Sequence, residues 1–314
     1  MGGMIPSAVA FEQWLRGRPG FEAARVEAVT PVEGGASNVT CRVTLAGAGR
    51  SSVCLRMQRD RGIFEPYDVL REGAVIAALA PSPIPVPELL AIEGDAGVLG
   101  APFIVLEWID APHMGEAGPE ASFPAFTEMV ARIHWLDWEA YGLGFLGVPS
   151  NAREGIVREV DAVAARMPAF GCEAEPLLRQ AADVLRRTAP SDGDLALCQG
   201  DINVFNYLFR KGEVVGVVDW EQARISDPRC DVGQLLALSH LKGAPFGEAR
   251  AMPFVVAYEA ASGRELRGMA YFRARWLFEL AVIYHGWVRF NGTEPWYSWD
   301  SVSGLLGRAL GELG

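Results

Sequence analysis

Hydrophobic and polar positions alternate in two stretches near the amino terminus, "SNVTCRVTLAG" and "SSVCLRMQ", with the turn-forming "AGAGR" between them. Alternation places successive side chains on opposite faces, so residues 26–55 are expected to build an antiparallel sheet around a hairpin. "YDVLREGAVIAALA" shifts to helical spacing and stops at "PSPIPVPELL", whose prolines force an extended connection. "GVLGAPFIVLEWI" reads as a strand apolar on both faces, and the polar "DAPHMGEAGPE" after it predicts a linker, with a lobe boundary near residues 107–112. Beyond the linker, "FPAFTEMVARIHWLDWE", "IVREVDAVAARM" and "EPLLRQAADVLRRTA" have the period of amphipathic helices. Short strand-like pieces interrupt that pattern at "LALCQGD", "NYLFR" and "VVGVVDWE". Asp227 can then cap a helix that Pro228 begins, and the rest of the chain reads as helices. The pattern predicts an α+β protein with a sheet-rich lobe over 1–108 and a larger helical lobe over 109–314.

Composition narrows the function classes. Half of the 314 residues are hydrophobic, enough for a large core. No uninterrupted apolar run approaches the roughly 18 residues of a membrane span, and the amino terminus lacks a secretory pattern. A cytoplasmic protein with no membrane partner is expected. The five cysteines are far apart without a C-x-x-C pair and the four histidines are scattered, which suggests neither a zinc site nor a disulfide framework. A net charge of -11 disfavours nucleic acid and tolerates a cationic substrate. Lys211 and Lys242 are the only lysines, so cationic work in the first two hundred residues falls to arginine.

Candidate chemistry centres on "CQGDINVFNYLF". Asp201 and Asn206 interrupt an apolar run, and a strand ending in Asp219 of "VVDWE" follows after a turn. Taken singly, Asp201 and Asn206 could be turn residues and Asp219 a strand end. Taken together, their order and spacing are those of phosphoryl-transfer machinery. Asp201 would accept the proton of an attacking hydroxyl. Asn206 and Asp219 would offer hard oxygen ligands to Mg2+ on ATP phosphates. On strand "SSVCLRMQ", Val53, Leu55 and Met57 share one face and Arg56 the other. Glu72 shares a helix face with Val75, Ile76 and Leu79, and a carboxylate on an apolar stripe wants a cation. An Arg56–Glu72 pair is expected.

These motifs, with "GGASNVTCRV", "REGAVIAALAPSPIPVPELLA", "GAPFIVLEWIDA", "VARIHWLD", "VVGVVDWEQARISDPRCDVGQLL" and "YEAASGREL", span almost the whole chain. In them the chain resembles the aminoglycoside phosphotransferase and choline kinase group, particularly the branch resembling the amino-terminal kinase-like domain of certain acyl-CoA dehydrogenases. The resemblance implies a protein-kinase-like two-lobed fold, with a small antiparallel-sheet N-lobe and a larger helical C-lobe. It implies transfer of the ATP γ-phosphoryl group to a hydroxyl of a small molecule, either an aminoglycoside-like antibiotic or a hydroxyacyl metabolite. It further implies that Gly34, Gly35, Ser37 and Asn38 cover the phosphates, that Arg56 grips them, and that main-chain groups of Glu107 and Ile109 hold adenine. Asp231 matches an aspartate that braces the catalytic loop. Gln199 stands where the family commonly has histidine, which leaves a catalytically degenerate nucleotide-binding scaffold as the alternative.

Overall fold

A computed structural model of the protein describes residues 6–32, 38–244 and 246–313. The chain divides into two compact units, Met1–Asp110 and Ala111–Gly314.

The first unit holds helix α1 (Ala8–Leu15), strands β1 (Arg25–Pro31), β2 (Val39–Ala46) and β3 (Ser52–Met57), helix α2 (Val69–Leu79), and strands β4 (Leu89–Glu93) and β5 (Phe103–Glu107). The strands form one sheet in the order β1-β2-β3-β5-β4, antiparallel throughout. Alternation divides its two faces. Cys41, Val43, Leu45, Val53, Leu55 and Phe103 are buried in one core with Phe11 and Leu15 of α1. The other face meets α2, whose Gly73 comes so near Ile104 that an added Cβ would lie 3.0 Å from its Cγ2. Asp68 caps α2 by accepting from the Arg71 N–H at 2.9 Å, which sets Glu72 in the first turn. Two elements depart from the sequence reading. Helix α1 was not predicted, and part of the expected extended connection continues into β4, a half-exposed edge strand whose irregular register hides any alternation.

The second unit contains helices α3 (Met114–Ala117), α4 (Pro119–Trp135), α5 (Ala152–Phe170) and α6 (Pro176–Thr188), then strands β6 (Ala196–Cys198), β7 (Tyr207–Arg210), β8 (Glu213–Val217) and β9 (Arg224–Ser226). Helices α7 (Arg229–Ser239), α8 (Glu248–Ser262), α9 (Met269–Asn291) and α10 (Trp299–Gly311) complete it. Helix α9 is central: α5, α6, α7 and α10 pack around it, so it is buried on nearly every side from Tyr271 to Tyr284. Helix burial on every side follows from an apolar circumference, but Arg275 and Glu279 lie in that stretch and need partners. Strands β6 and β9 pair as one antiparallel ribbon and β7 and β8 as another. Part of the expected linker folds into α3, where His113 Nδ1 accepts the Gly115 N–H at 3.1 Å. Helix α7 starts at Arg229 rather than Pro228, with Asp227 accepting the Arg229 N–H at 2.9 Å. Among the described residues, no helix is long and apolar enough to cross a membrane.

Candidate active site

The loop after β6 carries Asp201. Gly200 precedes it at φ 87°, where a Cβ would lie 2.2 Å from the Gln222 carbonyl oxygen, so the turn admits only glycine. Asn203 folds the next residues into a short 3-10 helix, Val204–Asn206, by accepting the Phe205 N–H at 3.3 Å. That turn brings Asn206 back to Asp201. Its Nδ2 donates to Asp201 Oδ2 at 3.0 Å and to the Asp201 carbonyl at 2.9 Å. Gln234, on α7, donates from Nε2 to Asp201 Oδ1 at 2.5 Å and accepts the Ile202 N–H at 2.7 Å.

Asp219 follows β8 at φ 62°, a left-handed backbone that a non-glycine residue adopts at a cost. It is near enough to act on Asp201. Burial first, and the negative charge of Asp219 second, push the Asp201 carboxyl up to about 6, although Gln234 and Asn206 pull the other way. Two carboxylates that repel, beside the amide of Asn206, form a set of hard oxygen donors that a divalent cation would relieve. The donor set therefore fits a magnesium ion.

Below the loop lies a buried brace. Asp231 accepts the Gln199 N–H at 2.8 Å through Oδ2 and the Gly200 N–H at 3.2 Å through Oδ1. His134 reaches the same carboxylate at 3.3 Å, and its other ring nitrogen meets the Tyr258 hydroxyl at 2.7 Å. Burial would raise the Asp231 carboxyl, but His134, Arg224 and the Gly200 amide outweigh it and hold it below the usual range. Gln199 donates to the Val218 carbonyl at 2.9 Å and accepts from the Tyr207 hydroxyl at 2.6 Å. The glutamine thus ties the Asp201 loop to the chain entering Asp219. His134, Cys198 and Asp231 have ligating atoms within 4.8 Å of one another. The Cys198 thiol, however, points at the Asp227 carbonyl at 3.5 Å, and burial holds it well above the ordinary thiol range. With the Asp231 oxygens already accepting amides, the trio is a brace for the loop.

In the first unit, Arg56 Nε donates to Glu72 Oε2 at 3.0 Å, both side chains buried. Asn38 is buried and accepts the Arg59 N–H at 3.2 Å through its side chain. The Glu107 N–H bonds the Glu88 carbonyl at 2.9 Å, and half-buried Ile109 follows the end of β5. Gly34, Gly35 and Ser37 lie outside the described residues. Gln234 escaped the sequence reading. Its signal was present, since Asp231 and Gln234 are three positions apart and share one side of α7.

A family model described as the phosphotransferase enzyme family matches residues 28–273, which contain every side chain of this constellation. The chain belongs to that family. Among curated relatives of this phosphotransferase-family chain, mouse acyl-CoA dehydrogenase family member 10 is 26% identical over 233 residues, covering 71% of the chain and 21% of the relative. Rat acyl-CoA dehydrogenase family member 11 is 27% identical over 231 residues, covering 69% of the chain and 29% of the relative. The phosphotransferase-family chain thus spans less than a third of either relative's length. Its fold is that of the aminoglycoside phosphotransferases, a kinase-like α+β architecture. A thermostable mutant of aminoglycoside phosphotransferase APH(4)-Ia in ternary complex with ADP and hygromycin B superimposes with a TM-score of 0.67 at 15% identity, covering 97% of this chain and 99% of that one.

Proposed function

We propose that the protein transfers the γ-phosphoryl group of ATP to a hydroxyl of a small molecule. The observation that carries this reading is the convergence of Asp201, Asn206 and Asp219, with Asp219 in a left-handed conformation that a non-glycine residue adopts at a cost. Magnesium-bound ATP would supply the transferable group and the charge neutralisation its phosphates need. Asp201 is the proton acceptor for the attacking hydroxyl. The amides of Asn206 and Gln234 fix both of its oxygens, and a carboxyl near 6 is ionised at neutral pH yet basic enough to take a proton. Asn206 donates to Asp201 through Nδ2, which leaves Oδ1 as the ligand atom it would offer beside the Asp219 carboxylate. Arg56, aimed by Glu72, grips the phosphates; an arginine fork can hold a carboxylate and a phosphate oxygen together. Gly34, Gly35, Ser37 and Asn38 cover the phosphates, and main-chain groups of Glu107 and Ile109 contact adenine.

Charge bears on the acceptor. A thioester of coenzyme A would need a basic patch, and three of the arginines of α5 and α6 are engaged with carboxylates. Arg158 pairs with Glu154 at 2.5 Å, Arg166 with Glu279 at 2.7 Å, and Arg186 with Asp161 at 2.7 Å. With a net charge of -11, these pairings favour a cationic, aminoglycoside-like acceptor over a hydroxyacyl thioester. The test is an ATP-consumption screen against aminoglycosides, macrolides, amino alcohols, sugars and hydroxyacyl thioesters. Asp201→Ala is expected to abolish transfer and keep ATP affinity; Asp219→Ala is expected to remove the magnesium dependence of ATP binding. Magnesium-dependent binding without turnover on any acceptor would instead indicate a scaffold.

A further inference from the structure

Arg224 lies five residues beyond Asp219, at the start of β9, and was not among the expected site residues. Its guanidinium lies close against Gly200: a Cβ at position 200 would be 2.6 Å from Nη1. Nη1 donates to the Gln222 carbonyl at 3.2 Å, within the loop that carries Asp219. Nη2 sits 2.9 Å from Glu159 Oε2 and 3.8 Å from Asp231 Oδ1, the oxygen that accepts the Gly200 amide. One planar cation therefore touches the support of the Asp201 loop and the main chain of the Asp219 loop.

Glu159 is itself held. On α5 it accepts the Ser226 hydroxyl at 2.5 Å through Oε1, and its Oε2 meets Arg275 at 2.9 Å. Arg275 continues to Glu279 at 2.9 Å, and Glu279 to Arg166 at 2.7 Å. Asp231, Arg224, Glu159, Arg275, Glu279 and Arg166 thus alternate in sign from the loop into the helical core. Buried ion pairs are poor stabilisers compared with an apolar core of the same volume. Fixing geometry is the service such a chain can render.

We infer that Arg224 is a positioning residue that sets the spacing between the Asp201 and Asp219 loops, and that Glu159 aims it. The inference rests on the phosphoryl-transfer reading for its kinetic consequence, and on the structure alone for its mechanical one. Arg224→Met is expected to lower kcat by about 10²-fold, the scale of a misplacement near 1 Å, while KM for ATP and for the acceptor stays within about threefold. Arg224→Lys keeps a charge between Glu159 and Asp231 but lacks the planar fork that reaches Gln222 at the same time. It is expected to recover the melting temperature of the wild type without recovering kcat. A purely structural arginine would give lysine rescue of both, or a kcat that follows the folded fraction.

Hydrogen–deuterium exchange reads the same coupling without any turnover. In Arg224→Met and Glu159→Gln, protection over 199–203 and 218–223 is expected to fall together by at least about tenfold. Arg166→Met, at the far end of the alternation, is expected to leave both segments protected. Independent or unchanged exchange of the two loops overturns the inference even if the acceptor is never found; absence of transfer with coupled exchange overturns only the catalytic reading.

Discussion

Asp201→Asn is expected to make the ligand-free protein more stable while abolishing phosphoryl transfer. The carboxyl is pushed from an ordinary 3.8 up to about 6, first by burial and then by Asp219. At about 1.4 kcal/mol per pH unit, ionising it in the folded protein costs roughly 3 kcal/mol at neutral pH. Asp201 is half-buried, so solvent screens part of this, and an amide at the position would turn one of its two amide contacts donor against donor. About 1–2 kcal/mol of net stabilisation is the working figure. For a unit of roughly two hundred residues each kcal/mol shifts the melting temperature by about 2–4 °C, so a rise of about 2–8 °C is expected. The pH dependence follows from the sign. A carboxyl whose folded pKa exceeds its unfolded one binds its proton more tightly when folded, so the penalty is full above about 6 and vanishes as pH falls toward 3.8. Because the neutral amide carries no such penalty, the gap between variant and wild type should be largest at pH 7–8 and close by pH 4. Thermal melts by circular dichroism across that range, without nucleotide or magnesium, measure it. A variant less stable than the wild type at pH 7.5, or a difference that ignores pH, would show that the carboxylate is held for the fold and refute the reasoning.

Glu279 should behave in the opposite sense. Burial raises its carboxyl, yet Arg275 and Arg166 outweigh burial and bring it from 4.5 down to about 2, so roughly 3 kcal/mol of stability is present above pH 4.5 and lost as pH falls toward 2. Urea titrations of Glu279→Gln at pH 7 are expected to show a loss of about 3–5 kcal/mol. Gly200→Ala combines a left-handed φ with a backbone overlap at Gln222, and should cost at least about 2 kcal/mol in thermal melts and remove transfer. Arg56→Met takes the ion-pair partner from buried Glu72 and should destabilise the first unit by about 3 kcal/mol, with a higher KM for ATP. Arg56→Lys should restore more of the stability than of the KM, since a point charge cannot replace the fork.

Much of the architecture was legible because it rests on periodicity. The alternation in "VTCRVTL" and "SVCLRM" does separate the two faces of the first sheet, and Glu72 does emerge on the buried stripe of α2. What escaped was short or irregular. Helix α1 spans only Ala8–Leu15, β9 only Arg224–Ser226, and β4 is half-exposed with a shifted register, so none offers enough positions for a period to register. Asp201, Asn206 and Asp219 were singled out by type and order along one stretch, and the folded chain does bring Asn206 onto Asp201 and the charge of Asp219 close to it. Gln234 and Arg224 act from separate elements through side-chain contacts that only the folded chain creates, and Glu159 meets Arg224 across 65 positions of sequence, the difference between 224 and 159. Gln199 was legible as a departure from the family but not as a tie, because its partners, the Val218 carbonyl and the Tyr207 hydroxyl, come from two different strands' ends.

The grip of α7 on the Asp201 turn is made through peptide nitrogens: Asp231 takes those of Gln199 and Gly200, and Gln234 takes that of Ile202. A clasp of this kind is blind to what hangs from the gripped residues. The hold on the turn is therefore separable from the side chain at 199, whose tie to Val218 and Tyr207 is a second restraint laid over the first.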